Sequence, residues 1–175
     1  CVTGGGGSIG SELSRQILEL QAKKIILVDN SEHNLYNIYQ ELKEFHFSQE
    51  KIIPILGDVT NKKFVNCLIE KYKVDLIFHA AAYKHVPLVE HNPIAGLINN
   101  VLSTSILCEA AKEKKIKQFI LISTDKAVRP TNVMGASKRL AEMIVQAYAD
   151  DEMKKSNNKE ELIKFSMVRF GNVLG

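Results

Sequence analysis

Five short, almost unbroken apolar runs, at residues 25–28, 52–56, 74–78, 119–122 and 165–168, set the terms on which this chain can fold. A strand that is apolar on both faces must be covered on both, and a parallel sheet with helices above and below does this. Between the runs lie segments with helical spacing. Ile9, Leu13, Ile17 and Leu20 form one stripe, and Leu35, Ile38, Leu42 and Phe45 a second. Ile98, Leu102, Ile106 and Ala110 form a third, and Leu140, Ile144 and Ala147 a fourth. Strand and helix therefore alternate, and right-handed crossovers turn that alternation into an α/β fold, a doubly wound parallel sheet in one domain over residues 1–175. Residues 150–161 read as a solvated connection.

Composition narrows the class of partner. With 45% hydrophobic and 25% charged residues, 10 Gly and 4 Pro, the 175-residue chain is neither disordered nor collagen-like. A net charge of +3 with interspersed signs gives no reason to expect nucleic acid or an anionic membrane surface as partner. Cys1, Cys67 and Cys108 are odd in number and form no Cys-x-x-Cys, as expected of reduced thiols in the cytoplasm. No apolar run reaches the roughly 20 residues of a bilayer span. The chain opens mid-motif at Cys1-Val2-Thr3-Gly4 and stops at Asn172-Val173-Leu174-Gly175, so it is expected to be an excerpt, with any substrate lobe or upstream membrane segment outside it.

The stretch Val2-Thr3-Gly4-Gly5-Gly6-Gly7-Ser8-Ile9-Gly10 joins a strand stub to the first amphipathic helix. A dinucleotide pyrophosphate needs a tight turn, a backbone without Cβ where the phosphate approaches, and a helix N-terminus facing the anion. Gly4, Gly7 and Gly10 supply these, with Gly10 allowing close helix–strand contact; the other reading, a flexible linker, does not fit between a strand and a helix. The second strand ends in Asp29. A carboxylate there bonds ribose hydroxyls and repels a 2′-phosphate, which favours NAD over NADP, although Asp29 also fits as a cap of the helix beginning near Ser31. Asp58 and Val59, after the third strand, stand where an adenine edge would lie; Asp58 reads equally as a plain loop aspartate.

Two further strands deliver chemistry to the carboxyl edge of the sheet, where ligands of such folds bind. The fourth runs into Ala80-Ala81-Ala82-Tyr83-Lys84-His85, whose small residues let a nicotinamide lie close to the backbone. The fifth ends Ser123-Thr124-Asp125-Lys126, so a hydroxyl, a carboxyl and an amine leave one strand consecutively. Met134 and Lys138 are four apart and project from one face if helical. His79, His85 and His91 match no metal-ligand spacing, and no metal is expected. Of Asn99 and Asn100, one is read as bonding the loop backbone or a relay water, core satisfaction being the other reading.

Thr3-Gly-Gly-Gly-Gly-Ser-Ile-Gly10, the Ala80–Glu90 segment, Ser123-Thr-Asp-Lys-Ala127 and Val168-Arg-Phe-Gly-Asn-Val-Leu-Gly175 resemble the extended short-chain dehydrogenase/reductases, which are Rossmann-like. More narrowly, they are similar to the nucleotide-sugar 4,6-dehydratases of bacterial surface-polysaccharide biosynthesis. The resemblance implies an NAD-dependent reaction on a UDP-linked hexose, UDP-N-acetylglucosamine, giving a 4-keto-6-deoxy sugar. It implies that Lys126 is the C5 base, Asp125 the acid for the departing 6-hydroxyl, Thr124 a donor to the C4 oxygen, and Lys138 the holder of the nicotinamide ribose. It also implies cofactor contacts from Thr3, Ser8, Ile9, Ala80, Ala81, Ala82 and Lys84, and substrate contacts from Lys84, His85 and Asn172.

Acid–base chemistry sets two conditions. Lys126 works as a base near neutrality only if burial or nearby positive charge lowers its pKa, and Asp125 works as an acid only if desolvation raises its own. The sequence departs from the superfamily pattern at Met134, where a Tyr ordinarily stands, and a thioether takes no proton. On the same resemblance Met134 is expected to mark the long, membrane-anchored branch of these dehydratases, and the 4-hydroxyl proton then passes to a water or through Asp125. The resemblance implies a homo-oligomer that pairs through the third and fourth stripes, in the cytoplasm or as the cytoplasmic part of an inner-membrane protein. The alternatives are a nucleotide-sugar 4-epimerase and a noncatalytic dinucleotide-binding module in which Met134 records lost chemistry.

Overall fold

The apolar runs and the opening stub become six strands in the order β3-β2-β1-β4-β5-β6. The computed structural model describes residues 1–44, 49–155 and 162–171. The elements are β1 (Val2–Thr3), α1 (Ser8–Glu19), β2 (Ile25–Asp29), α2 (Glu32–Glu44), β3 (Ile52–Leu56), α3 (Lys62–Tyr72) and β4 (Leu76–His79). Beyond them lie α4 (Val86–His91), α5 (Pro93–Leu97), a π turn (Ile98–Leu102), α6 (Ser103–Glu113), β5 (Gln118–Thr124), a 3-10 turn (Asp125–Ala127), α7 (Val133–Lys155) and β6 (Lys164–Phe170). The pairings of β1 with β2 and β4, β2 with β3, and β5 with β6 are parallel. Each such step needs a crossover, and helices supply it. The chain forms two compact units, Cys1–Asp58 with Ile77–Ala81, and Val59–Leu76 with Ala82–Gly175.

In the first unit, Val2, Leu18, Ile25, Leu27, Leu35, Ile38, Leu42 and Ile52 form one buried cluster, with Ile17, Tyr39 and Phe78 packed against it. The stripe of α2 is buried as predicted over Leu35, Ile38 and Leu42, while Phe45 lies outside the described residues. The stripe of α1 is half-buried at Ile9, Leu13 and Ile17, while Leu20 at the C-cap is 83% exposed. Gly10, Ser14 and Leu18 beside it are the fully buried residues, and the small ones among them let this helix approach its neighbours closely.

In the second unit the third stripe is interrupted. Ile98 and Leu102 are exposed whereas Ile106 and Ala110 are buried, because the π turn adds a residue to the helical repeat and rotates the residues beyond it. The fourth stripe is also corrected. Leu140 and Ala147 of α7 are exposed, and Met134, Ser137, Lys138, Ala141, Glu142 and Val145 are buried. Three of those six are polar and satisfied by partners, so hydropathy alone selects the wrong face. The connection predicted at residues 150–161 is helical through Lys155. Segment Pro93–Glu113 is, by length and composition, apolar enough to cross a membrane, contrary to expectation, and half of it is buried inside the fold.

Candidate active site

The glycine turn of the first unit is built by contact. Gly4 has φ +67°, and a Cβ there would stand 2.6 Å from Ala81 N. A Cβ on Gly10 would run into Gly4 O. Gly7 is different in kind: its φ is −75°, and a Cβ would meet only Gly4 O, at 3.2 Å. That contact is tight but not barred, and no side chain caps α1, whose N-cap Gly7 is. An uncapped helix N-terminus fits a phosphate group.

Asp29, at the end of β2, is buried. Its Oδ2 accepts from Gly6 N at 3.0 Å and its Oδ1 from Ser31 N at 2.9 Å, so it caps the next turn and anchors the glycine turn together. Each oxygen keeps acceptor capacity for a ribose hydroxyl. Thr3 Oγ1 and His79 Nδ1 share a 2.7 Å hydrogen bond, both side chains fully buried. Ser8 is exposed and Ile9 half-buried at the start of α1, Ala80 and Ala81 follow β4, and Asp58 is exposed. A buried carboxylate with spare acceptor capacity and an uncapped helix N-terminus are together of the kind a dinucleotide needs.

The second unit carries the residues that the sequence singles out for chemistry. Thr124 caps the 3-10 turn, accepting from Lys126 N and donating to Asp125 Oδ1 at 3.0 Å. Lys126 Nζ lies 3.6 Å from Asp125 Oδ1, and both side chains are well exposed. The Thr124 hydroxyl, aided by Lys126, holds the Asp125 carboxyl below its usual range. Exposed as it is, the carboxyl is desolvated too little for burial to raise it. Gly135, whose Cβ would meet Lys126 O at 2.5 Å, lets the first turn of α7 lie against this turn.

Lys138 on α7 is buried and its Nζ donates to Ile122 O at 2.7 Å; burial lowers its pKa to about 8. Met134 is 3% exposed and on the same helix face as Lys138, a packed thioether rather than a group presented to solvent. Burial alone would raise the Glu142 carboxyl, but bonds from Arg169, Ser123 and Arg139 outweigh it and hold it at about 2. Lys84 and His85 are exposed, His85 as N-cap of α4, and Ala82 and Val59 also belong to this unit. Asn172 lies outside the described residues.

Some polar residues that build the site carry no sequence signal as such. Glu142, Ser137 and His79 sit at core positions of their elements, where only the partner reveals the role. Asn100 has two readings in the sequence, and in the structure its amide bonds the backbone of Tyr83.

Residues 1–175 match the family described as polysaccharide biosynthesis protein. The chain is 46% identical over 99% of its length to a capsular polysaccharide biosynthesis protein CapD of Staphylococcus aureus, of which it covers 28%. It is 32% identical to a UDP-N-acetylglucosamine 4,6-dehydratase (inverting) of Campylobacter jejuni and 35% identical to a UDP-glucose 4-epimerase of Rickettsia canadensis, covering 99% of this chain and 48% of each. Among solved structures, that of Pen from Bacillus thuringiensis superposes with a TM-score of 0.87 at 30% identity, over 99% of this chain and 50% of that one. The chain thus spans from about a quarter to half of the relatives it resembles. With the glycine turn, the sheet order and a match along its whole length in agreement, the chain belongs to the polysaccharide biosynthesis protein family.

Proposed function

We propose that the protein to which this chain belongs is an NAD-dependent UDP-N-acetylglucosamine 4,6-dehydratase that makes a UDP-4-keto-6-deoxy sugar for surface polysaccharide. The observation that carries this is the tip of β5, where Thr124, Asp125 and Lys126 present a hydroxyl, a carboxylate and an amine in mutual contact and open to a ligand. Epimerisation needs hydride transfer at C4 but no acid–base pair for C5 and C6. NAD, when bound, accepts hydride from C4 and returns it to C6.

Lys126 takes the C5 proton once the 4-ketone has acidified it, and returns one to C5 as hydride reaches C6. Asp125 receives the 4-hydroxyl proton, directly or through a water, and gives it to the departing 6-hydroxyl, which leaves as water; a sugar that excludes water from its carboxyl supplies the desolvation that the open tip lacks. Thr124 donates to the C4 oxygen after exchanging its bond to Asp125. Lys138, in the charge state that its pKa of about 8 allows near neutrality, holds the nicotinamide ribose. The carboxylate of Asp29 at the adenosine ribose favours NAD. Ser8, Ile9, Ala80, Ala81, Ala82, Val59 and Asp58 complete the cofactor contacts, and Lys84, His85 and Asn172 the substrate contacts.

A second reading, a UDP-sugar 4-epimerase, is favoured by the Rickettsia relative. Incubating the full-length protein with UDP-N-acetylglucosamine separates the two. A 4-keto-6-deoxy product supports the dehydratase, a galacto isomer supports the epimerase, and cofactor binding without turnover leaves a noncatalytic module. Within the first outcome, Lys126→Ala abolishes solvent-deuterium incorporation at C5 with the cofactor still bound, and Asp125→Asn costs far more activity than Met134→Ala; the reverse order removes these roles.

We further propose that the protein works in the cytoplasm and pairs with a second copy across the groove lined by Leu97, Ile98, Val101, Leu102, Ser105 and Ile144. Exposed Leu140 and Met143 extend that apolar surface along α7. Leu102→Glu should convert a dimer to a monomer in analytical ultracentrifugation, and an unchanged mass would place the interface elsewhere.

A further inference from the structure

Among the described residues, those other than glycine with a left-handed backbone are Gln21, Lys73, Lys115 and Arg129. The first three stand at or just past the ends of α1, α3 and α6, where that conformation ordinarily closes a helix. Arg129, with φ +54°, is different. It lies between β5 and α7, after an extended Val128 and before Pro130. A Cβ disfavours the left-handed region, and a following proline favours an extended backbone, so an arginine here is strained.

Strain of this kind lasts only where the surroundings fix the backbone, and it gathers at ligand sites. The turn is fixed at both ends. Val128 N donates to Asp125 O at 2.9 Å, and Ala127 is fully buried. Lys126 O and Pro130 Cβ crowd the space over Gly135, where a Cβ would stand 2.5 and 3.2 Å from them. Asn132 ties the first turn of α7, its Oδ1 accepting from Gly135 N at 2.7 Å and its carbonyl from Ala136 N at 2.9 Å. Glu90 of α4 accepts from Val133 N at 2.6 Å. The side chain is held by nothing comparable. Arg129 is exposed, and its guanidinium has no hydrogen-bond or ion-pair partner among the described residues. Asparagine or glycine would fit this backbone with less strain, so neither the turn nor its packing accounts for an arginine.

We propose that Arg129 binds the diphosphate of the nucleotide-sugar substrate. The proposal rests on the reading of Asp125 and Lys126 as the groups that face C6 and C5 of the sugar. C1, which carries the phosphates, is separated from C5 by the ring oxygen alone, and Arg129 is one tight turn from Asp125. The anion therefore falls within an arginine's reach of the turn. A planar guanidinium bonds two phosphate oxygens at once, and beside a diphosphate its charge gains a partner that the turn does not give it.

UDP carries both phosphates and undergoes neither dehydration nor epimerisation, so calorimetric titration of UDP into the full-length protein tests the site apart from the reaction. Arg129→Asn should weaken UDP binding about tenfold or more, leave NAD affinity unchanged, and raise the melting temperature. Arg129→Lys, which keeps both the charge and the strain, should weaken UDP less and leave the melting temperature unmoved. Undiminished UDP affinity in Arg129→Asn, no binding of UDP to the natural protein, or a loss shared by NAD overturns the proposal. So does a lower melting temperature in Arg129→Asn, which would make the arginine a support of the fold. With UDP-N-acetylglucosamine, the KM of Arg129→Asn should rise by the same factor while kcat falls less; a fall in kcat alone overturns the proposal as well. Weakened UDP binding in a protein that does not turn over UDP-N-acetylglucosamine would instead refute the dehydratase and leave the diphosphate site standing.

Discussion

The guanidinium of Arg169 meets the carboxylate of Glu142 through two bonds of equal length, Nε to Oε1 and Nη2 to Oε2, each 2.7 Å. Ser123, the residue before Thr124, donates to the same carboxylate at 2.8 Å. The buried acid of α7 therefore joins the ends of β5 and β6 just where β5 gives way to Thr124, Asp125 and Lys126.

Replacing Glu142 by Gln should cost about 1 kcal/mol at pH 7, because the buried side chain loses its charge-assisted bonds to Arg169 and Arg139, whose own side chains stay partly in water. The carboxyl is held at about 2, below its ordinary 4.5, so its stabilisation is fully present above about pH 4.5 and is lost as pH falls through 2. Urea melts of both proteins should therefore differ at pH 7 and converge near pH 2. Parallel curves across that window would contradict the assignment.

Lys138 gives a slope of the same sign in a higher window, through the cost of burying its charged form. Its pKa of about 8 lies below the ordinary 10.5, so between those values the unfolded chain binds a proton that the fold does not, and stability from this group rises with pH. Relative to Lys138→Met, the natural protein should gain up to about 3 kcal/mol between pH 8 and 10.5. Thermal melts of the pair across that interval check this; equal slopes would mean that Lys138 is not held neutral.

Gly4→Ala and Gly7→Ala should fail in different ways. The first places a Cβ against the backbone of Ala81 at positive φ and should cost about 3 kcal/mol or more of stability. The second meets only Gly4 O at 3.2 Å and at negative φ, so it should cost clearly less stability than the first while NAD affinity drops at least about tenfold. Calorimetry for both quantities decides; a Gly7→Ala protein with undiminished affinity would remove this turn as the phosphate cradle.

Asp29→Asn keeps an acceptor for a backbone amide and removes the negative charge. NADP should then bind closer to NAD, their affinity ratio narrowing by about tenfold. A ratio unmoved in competition titrations would leave Asp29 a turn cap alone.

Strand positions and the glycine turn were legible in the sequence because each obeys one local rule: apolar on both faces, or no room for a Cβ. The stripe of α2 was legible for the same reason. Helices α1 and α7 were not, because their inner faces use Gly10, Ser14, Ser137, Lys138 and Glu142, residues that become core only through contacts distant in sequence. The tip of β5 stands out as a cluster of residue types, but the charge state of Asp125 does not, since it depends on exposure and on the Thr124 hydroxyl. The π turn was beyond any fixed helical period.

That turn has two outlooks. Leu97, Ile98, Val101 and Leu102 line the apolar groove, while Asn100 between them points its amide to the backbone of Tyr83. In a helix each residue advances the direction by about 100°, so losing one residue within 98–102 would swing everything beyond it out of phase. Surface association and loop placement are thus geared to a single inserted residue. A lineage that tightened this coil would give up both properties in one step, and drift at the surface cannot be separated from drift in the interior.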